Sequence, residues 1–136
     1  MHKQIYVNLA VDNVARSKAF FTALGFSFEP RFSNERAVCL ILGENIYAML
    51  LVKDMFKTFT PKSLADAKAS TEVLVCLSCE SREEVDSLVA KALAAGGAVP
   101  RAPQDHGSMY VHGFEDPDGH IWELAYMDLN AQPAAS

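Results

Sequence analysis

The chain repeats itself once. Laying Asn13 on Ser81, both helix-capping types, also lays Ile5 on Val73, Tyr6 on Leu74 and Val11 on Cys79, all at one constant offset of 68 in a chain of 136 residues. Identity between the halves is low, but the order and register of apolar and polar positions agree, which is how one supersecondary unit used twice reads in sequence. A chain of this length suits one compact domain of two half-sized modules.

Each half spells the same order. Ile5 to Val11 reads as a strand, and Val14 to Leu24 as a helix with Val14, Phe21 and Leu24 on one face, capped by Asp12 or Asn13 and stopped by Gly25. Phe26 to Phe32, Arg36 to Leu42 and Ile46 to Val52 follow as strands, separated by Ser33-Asn34 and Gly43-Glu44-Asn45 turns. Lys53 to Ser70 is polar and carries Pro61 and Ser63, the pattern of a loop with a short helix. Val73 to Cys79 then opens a second strand-helix order. Ser81-Arg82-Glu83-Glu84 is a capping box. Val85, Leu88, Val89, Ala92 and Leu93 make an amphipathic face that ends at Gly96-Gly97. Ala98 to Arg101, Met109 to Phe114 and His120 to Met127 complete the strands. The expected organisation is a single domain over 1–136, with βαβββ module one at 5–52, a linker at 53–70, βαβββ module two at 71–127 and a frayed tail at 128–136. The aromatic set Phe20, Phe21, Phe26, Phe28 and Phe32 is expected mostly in the core.

Composition excludes several partners. A formal charge of −5 with pI near 5.3 leaves no basic face for nucleic acid or an anionic membrane. No apolar run reaches about 18 residues and no charged-then-apolar leader opens the chain, so a cytoplasmic protein is expected. The odd set Cys39, Cys76 and Cys79 lies in apolar strand-like runs and reads as reduced, buried thiols. Cys76 and Cys79, three apart on a strand, point to opposite faces and make no zinc or redox pair. Small molecules remain as partners, cationic ones suiting the acidic balance.

The segment Asp116-Pro117-Asp118-Gly119-His120-Ile121-Trp122-Glu123-Leu124 carries the sharpest signal. Pro fixes φ and Gly takes the strained turn position; a strand follows in which one carboxylate, Glu123, alternates with apolar neighbours. This resembles the closing hairpin of the vicinal oxygen chelate superfamily, to which glyoxalase I, bleomycin-resistance proteins, fosfomycin-resistance enzymes and extradiol dioxygenases belong. Asn8-Leu9-Ala10-Val11, Phe21-Thr22-Ala23-Leu24-Gly25-Phe26, Glu44-Asn45-Ile46 and Gln104 to Tyr110 are similar to a bacterial branch often labelled predicted lactoylglutathione lyase. The resemblance covers residues 5–127. It implies an α+β fold in which two βαβββ modules form a curved mixed sheet around a small-molecule cleft, usually in a homodimer.

Metal-using relatives place a His or Gln on the first strand of each module and a Glu on the last. Carried across, these positions fall on Tyr6 and Leu74, on Glu123, and on Ala48 or Met49. Only Glu123 keeps a good donor, and Zn²⁺, Ni²⁺ or Mn²⁺ need three or four to compete with water. The two-His, one-carboxylate set of iron-dependent ring cleavage is missing too. A register shift of two would instead turn Asn8 and Cys76, or Gln4 and Glu72, inward; Glu72, Glu123 and His112 would then form a displaced site. His112 shares a face with Tyr110 and Phe114, where a core-rim histidine is the commoner role. Glu123 is the candidate catalytic residue, a desolvated general base, against the plainer reading of an exposed carboxylate or one tied to Arg101. Tyr6, Asn8, Met49, Leu74, His106, Tyr110 and His112 are the candidate ligand-binding residues. Asp105, His106 and Gly107 serve equally well as plain turn chemistry, and Trp122 alternates away from Glu123 into packing. Met49, Met55, Phe56, Phe59 and Met109 are candidates to line or lid a cleft.

Two functions are compatible with these residues. The first is a metal-poor binder of a small, partly aromatic or cationic molecule, with no metal ligands of its own. The second is a glyoxalase-type lyase or isomerase in which a divalent metal polarises a carbonyl and Glu123 moves a proton.

Overall fold

The computed structural model describes residues 1–130. The described chain divides into two units, 1–66 and the described residues from 67 onward, and each builds its own four-stranded sheet.

In the first unit β1 (Ile5–Val11) leads into α1 (Val14–Ala23), followed by β2 (Ser27–Glu29), β3 (Ala37–Gly43) and β4 (Ile46–Val52). The sheet order is β1-β4-β3-β2, with β1 parallel to β4 and the other pairs antiparallel. Asn13 caps α1, its Oδ1 accepting from the Arg16 amide at 3.0 Å, which leaves Asp12 free of that duty; its carboxylate takes Lys53 at 2.7 Å. Gly25 follows the helix at φ +99°, a conformation that costs a side chain but not glycine. Val14, Phe20 and Phe21 on α1 and Leu24 at its C-terminal cap are buried, as are Leu9, Val11, Ala48 and Leu50 on the sheet.

The expected strand Phe26 to Phe32 shortens to three residues, because Pro30 cannot donate to a ladder and opens a 3-10 turn over Pro30–Phe32. Phe32 consequently leaves the core and is 53% exposed. Lys53–Phe56 forms a short α2, continued by a 3-10 turn over Lys57–Phe59.

The second unit repeats the order with β5 (Val75–Cys79), α3 (Arg82–Ala94), β6 (Gln104–Asp105), β7 (Met109–Glu115) and β8 (Ile121–Met127). Its sheet runs β5-β8-β7-β6, β5 parallel to β8. Val73 and Leu74 fall outside β5. The stretch Ala98 to Arg101 is not a strand: Pro100 and Pro103 remove ladder donors, so pairing shrinks to a single Ala98–Glu115 bridge and the two-residue β6. Ser81 caps α3 as expected, accepting from the Glu84 amide at 3.0 Å, while the Glu84 carboxylate reaches back to the Glu80 amide at 2.8 Å. Val85, Val89 and Ala92 are buried, but Leu93, expected on the same face, is 51% exposed. Of the expected tail, Asp128 is held by its amide on the Ser108 carbonyl at 2.8 Å; residues 131–136 lie outside the described residues.

The turn entering β8 is organised by one buried carboxylate. Asp116 accepts from the amides of Asp118 at 2.9 Å and His120 at 3.1 Å through one oxygen, and from the Trp122 indole N–H at 2.9 Å through the other. Gly119 sits in the same turn at φ +96°, pressed so closely on Ala67 and Lys68 that a Cβ would fall 2.8 Å from their backbone. Trp122 is thereby fixed inward, fully buried and stacked on Phe114 with ring centroids 6.4 Å apart.

Asp116→Ala removes the acceptor these three donors share and is expected to cost about 3 kcal/mol in urea unfolding. Burial pushes the Asp116 carboxyl above its ordinary value, although the Trp122 hydrogen bond pulls the other way. With the folded value raised, its contribution is fully present below the unfolded pKa and is lost as pH rises through the folded one. Asp116→Asn is therefore expected to flatten the pH dependence of stability across that window.

Candidate functional site

Which side chains can meet a ligand in the second unit follows from the parity of β8. Tyr110 on β7 donates its hydroxyl to Asp86 Oδ1 on α3 at 2.6 Å and lies under the Arg82 guanidinium, 5.1 Å from its ring centroid. The face of β7 carrying Tyr110, His112 and Phe114 is therefore the one α3 covers. Trp122 and Leu124 oppose Phe114 and His112 in the ladder and share that face, both fully buried. Glu123 points the other way, opposite Gly113 on β7 and Cys76 on β5.

On this second face a pocket of about 180 Å³ opens, with Leu74, Val111, Ile121 and Ala102 among its apolar walls and Glu123 and Arg101 as its charged members. Glu123 is half-buried, and among the described residues its carboxylate makes no hydrogen bond or ion pair. Gly113 keeps the floor bare beside it: a Cβ there would lie 2.7 Å from the Trp122 carbonyl oxygen, so the strand pair would have to part before a side chain could stand against the carboxylate.

Cys76 is the exposed neighbour of Glu123 across the parallel ladder, which corrects the expectation that all three cysteines are buried. Partial burial pushes its thiol above the ordinary value and the Glu123 carboxylate adds to the shift. Cys79, on the opposite face, is pushed up to about 11 by burial, with Glu84 and Cys76 contributing. Both are thiols rather than thiolates at neutral pH, and all three cysteines are free.

The remaining candidates scatter. In the first unit Asn8 opposes Met49, and Tyr6 opposes and stacks on Tyr47 with centroids 5.0 Å apart. These four share the face turned away from the buried Leu9, Val11, Ala48 and Leu50. The Tyr6 hydroxyl donates to Gln4 Oε1 at 3.0 Å, and the Asn8 amide to the Tyr6 carbonyl at 3.2 Å. Leu74 reaches the Glu123 pocket from just before β5. His112 also contributes to the lining of the Glu123 pocket, but by strand alternation its side chain is directed to the α3 side of β7, with Nε2 buried and without a partner; Glu72 precedes β5 on an exposed stretch, so the displaced site of Glu72, Glu123 and His112 is not assembled. Tyr110 is committed to Asp86. Asp105 is held by Arg82 at 2.6 and 3.2 Å, and Arg82 also reaches the Gly107 carbonyl at 3.0 Å. This clamp sets the loop that carries the exposed His106, whose amide donates to the Met109 carbonyl at 2.8 Å.

A more open hollow of about 490 Å³ adjoins the start of α1; of its polar members Asn13 and Asp12 are engaged in the cap and with Lys53, Asn34 Oδ1 accepts from the Arg36 and Ala37 amides, and Lys18 and Glu35 complete the lining.

A divalent metal, which the resemblance implies, needs donors that this pocket lacks. Glu123 is one hard donor. Its same-face neighbours are a protonated thiol, a glycine, Leu74 and Ile121, and the corresponding row of the first unit supplies Asn8 and a Met49 thioether. Among the described residues no three His, Cys, Asp or Glu side chains gather in one place. This set does not fit Zn²⁺, Ni²⁺ or Mn²⁺, which need three or four good donors.

The family model described as Glyoxalase/Bleomycin resistance protein/Dioxygenase superfamily matches residues 3–124, and the chain belongs to this family. A hypothetical protein from S. aureus is similar in structure at 30% identity and TM-score 0.78, covering 93% of this chain and 95% of its own. A glyoxalase-related enzyme from Fulvimarina pelagi aligns at TM-score 0.76 and 21% identity over 98% of this chain and 100% of its own. The fosfomycin resistance protein FosX from Listeria monocytogenes aligns at 0.68 and 19% over 97% and 96%. The latter two share the fold. Among proteins of curated function none matches the chain.

Strand alternation identified Glu123 as the odd carboxylate of β8. Its neighbours Cys76 and Gly113 are set by cross-strand register, which single-strand patterns do not carry; the two-residue register shift that turns Cys76 inward is the one sequence signal that points to Cys76.

Glu123→Gln is expected to leave stability within about 0.5 kcal/mol, since no partner is lost, and to lower the Cys76 pKa. The check is alkylation of Cys76 by iodoacetamide at mildly alkaline pH, mapped by mass spectrometry: the variant reacts faster, and equal rates would contradict the placement of the carboxylate beside the thiol.

Proposed function

We propose that this chain binds a small organic molecule in the pocket of its second unit, with Glu123 as the polar anchor and without a divalent metal. The observation that carries this reading is the Glu123 carboxylate itself. It stands half-buried in an apolar-walled pocket with no partner among the described residues, and a carboxylate partly removed from water is stabilised by any donor or cation that reaches it. Few convergent polar groups in an apolar concavity are the usual composition of a small-molecule site.

The metal-dependent lactoylglutathione-lyase reading draws support from family membership alone, while the donor set speaks against it. Three free thiols suit a reducing cytoplasm, and no helix among the described residues is long and apolar enough to cross a membrane. The acidic charge keeps nucleic acid out of the reading. Homodimer formation is part of the proposal on the strength of the family resemblance.

Titrating ¹⁵N-labelled protein with a library of small amines, acids and amides tests this. Binders are expected to shift the amides of Val111, Gly113, Ile121 and Glu123 together, and Glu123→Ala to weaken the best of them about tenfold, the loss of one charge-assisted hydrogen bond. Shifts confined to other surfaces, or binding indifferent to Glu123→Ala, would overturn the reading.

A further inference from the structure

The pocket carries a second charge that the proposed anchor does not use. Arg101 lines it together with Glu123, and among the described residues neither side chain forms an ion pair, with the other or elsewhere. Opposite charges that share a small concavity and yet stand apart constrain what can enter. A simple cation placed at Glu123 meets the field of the Arg101 guanidinium, and a simple anion placed at Arg101 meets that of the carboxylate. Either one leaves the other pocket charge without a partner of opposite sign, whereas a ligand carrying both charges satisfies the half-buried Glu123 and the exposed Arg101 together.

Resting on the proposed binding function, we infer that the ligand class is a small zwitterion, with a protonated amine directed at Glu123 and a carboxylate or similar oxyanion at Arg101. The guanidinium fork matches a planar oxyanion in a two-bond geometry, and the carboxylate accepts from an ammonium. Between them the walls offered by Leu74, Val111 and Ile121 suit a short aliphatic spacer. A volume of about 180 Å³ is worth about six water molecules at the liquid share of one water, so the enclosed part of the ligand is on the order of six or seven non-hydrogen atoms. The paired charges disfavour the purely cationic ligand that the acidic composition suggested.

The experiment compares four probes of one length, 4-aminobutyrate, butylamine, butyrate and butanol, by NMR titration of the wild-type chain, Arg101→Gln and Glu123→Gln. Arg101 is exposed and Glu123 unpaired, so both variants are expected to fold, which the same spectra verify. The zwitterion is expected to bind about tenfold more tightly than the amine or the acid, the gain of one further charge-assisted hydrogen bond. Arg101→Gln should erase its advantage over butylamine, and Glu123→Gln its advantage over butyrate. Equal affinity for the zwitterion and either singly charged probe would overturn the zwitterion class and leave the pocket as a binding site. Failure of all four probes, with the spectra of a folded chain, would overturn the zwitterion class, and failure of the wider library as well would remove the binding function with it.

Discussion

One buried carboxylate decides which residues of the second sheet face which way. Asp116 collects two turn amides and the Trp122 indole, and in doing so seats Trp122 on the α3 side of β8. Strand side chains alternate with period two, so a slip of one residue at this turn would exchange Trp122 and Glu123. A fully buried indole would reach solvent, and an unpaired carboxylate would enter the core against Phe114. Both errors are expensive, which is why the turn needs three hydrogen bonds to a single side chain and a glycine at Gly119 that packs without a Cβ against Ala67 and Lys68. The position of the pocket carboxylate is a consequence of this anchoring rather than of any contact Glu123 makes for itself.

Much of the scaffold was legible in the sequence because it is written in local chemistry. Asn13 and Ser81 act as caps at the positions their types announce, Gly25 and Gly119 take positive φ where turns require it, and the alternation of β8 separates Trp122 from Glu123. The failures also have local causes. Pro30 converts the end of an expected strand into a 3-10 turn and releases Phe32 to solvent. Pro100 and Pro103 dissolve another strand, leaving Arg101 on an irregular segment at the edge of the pocket, where no periodic pattern could have placed it. Cys76 reads as an apolar-run cysteine unless the register shifts by two, and the parallel register of β5 with β8 is what sets it beside Glu123.

The two sheets keep one topology while their open faces have diverged. In the first unit the row contains Asn8 and Met49, with the stacked pair Tyr6 and Tyr47 beside it; in the second, at the equivalent rungs, it contains Cys76 and Glu123. Neither row collects the imidazoles and carboxylates that a divalent ion needs. What remains in the second unit is a small apolar concavity with one acid and one base on its wall. Under the proposed function, such a surface holds a compact polar organic molecule by direct charge-assisted hydrogen bonds.

Elemental metal analysis of tag-free protein, before and after exposure to Zn²⁺, Ni²⁺ and Mn²⁺ followed by desalting, measures the central point most directly. With one carboxylate and one protonated thiol on the pocket face, and the imidazole of His112 directed to the α3 side of β7, retention below about 0.1 metal per chain is predicted. Near-stoichiometric metal that Glu123→Gln removes would contradict the account and identify Glu123 as a metal ligand whose companions lie outside the donor set described above.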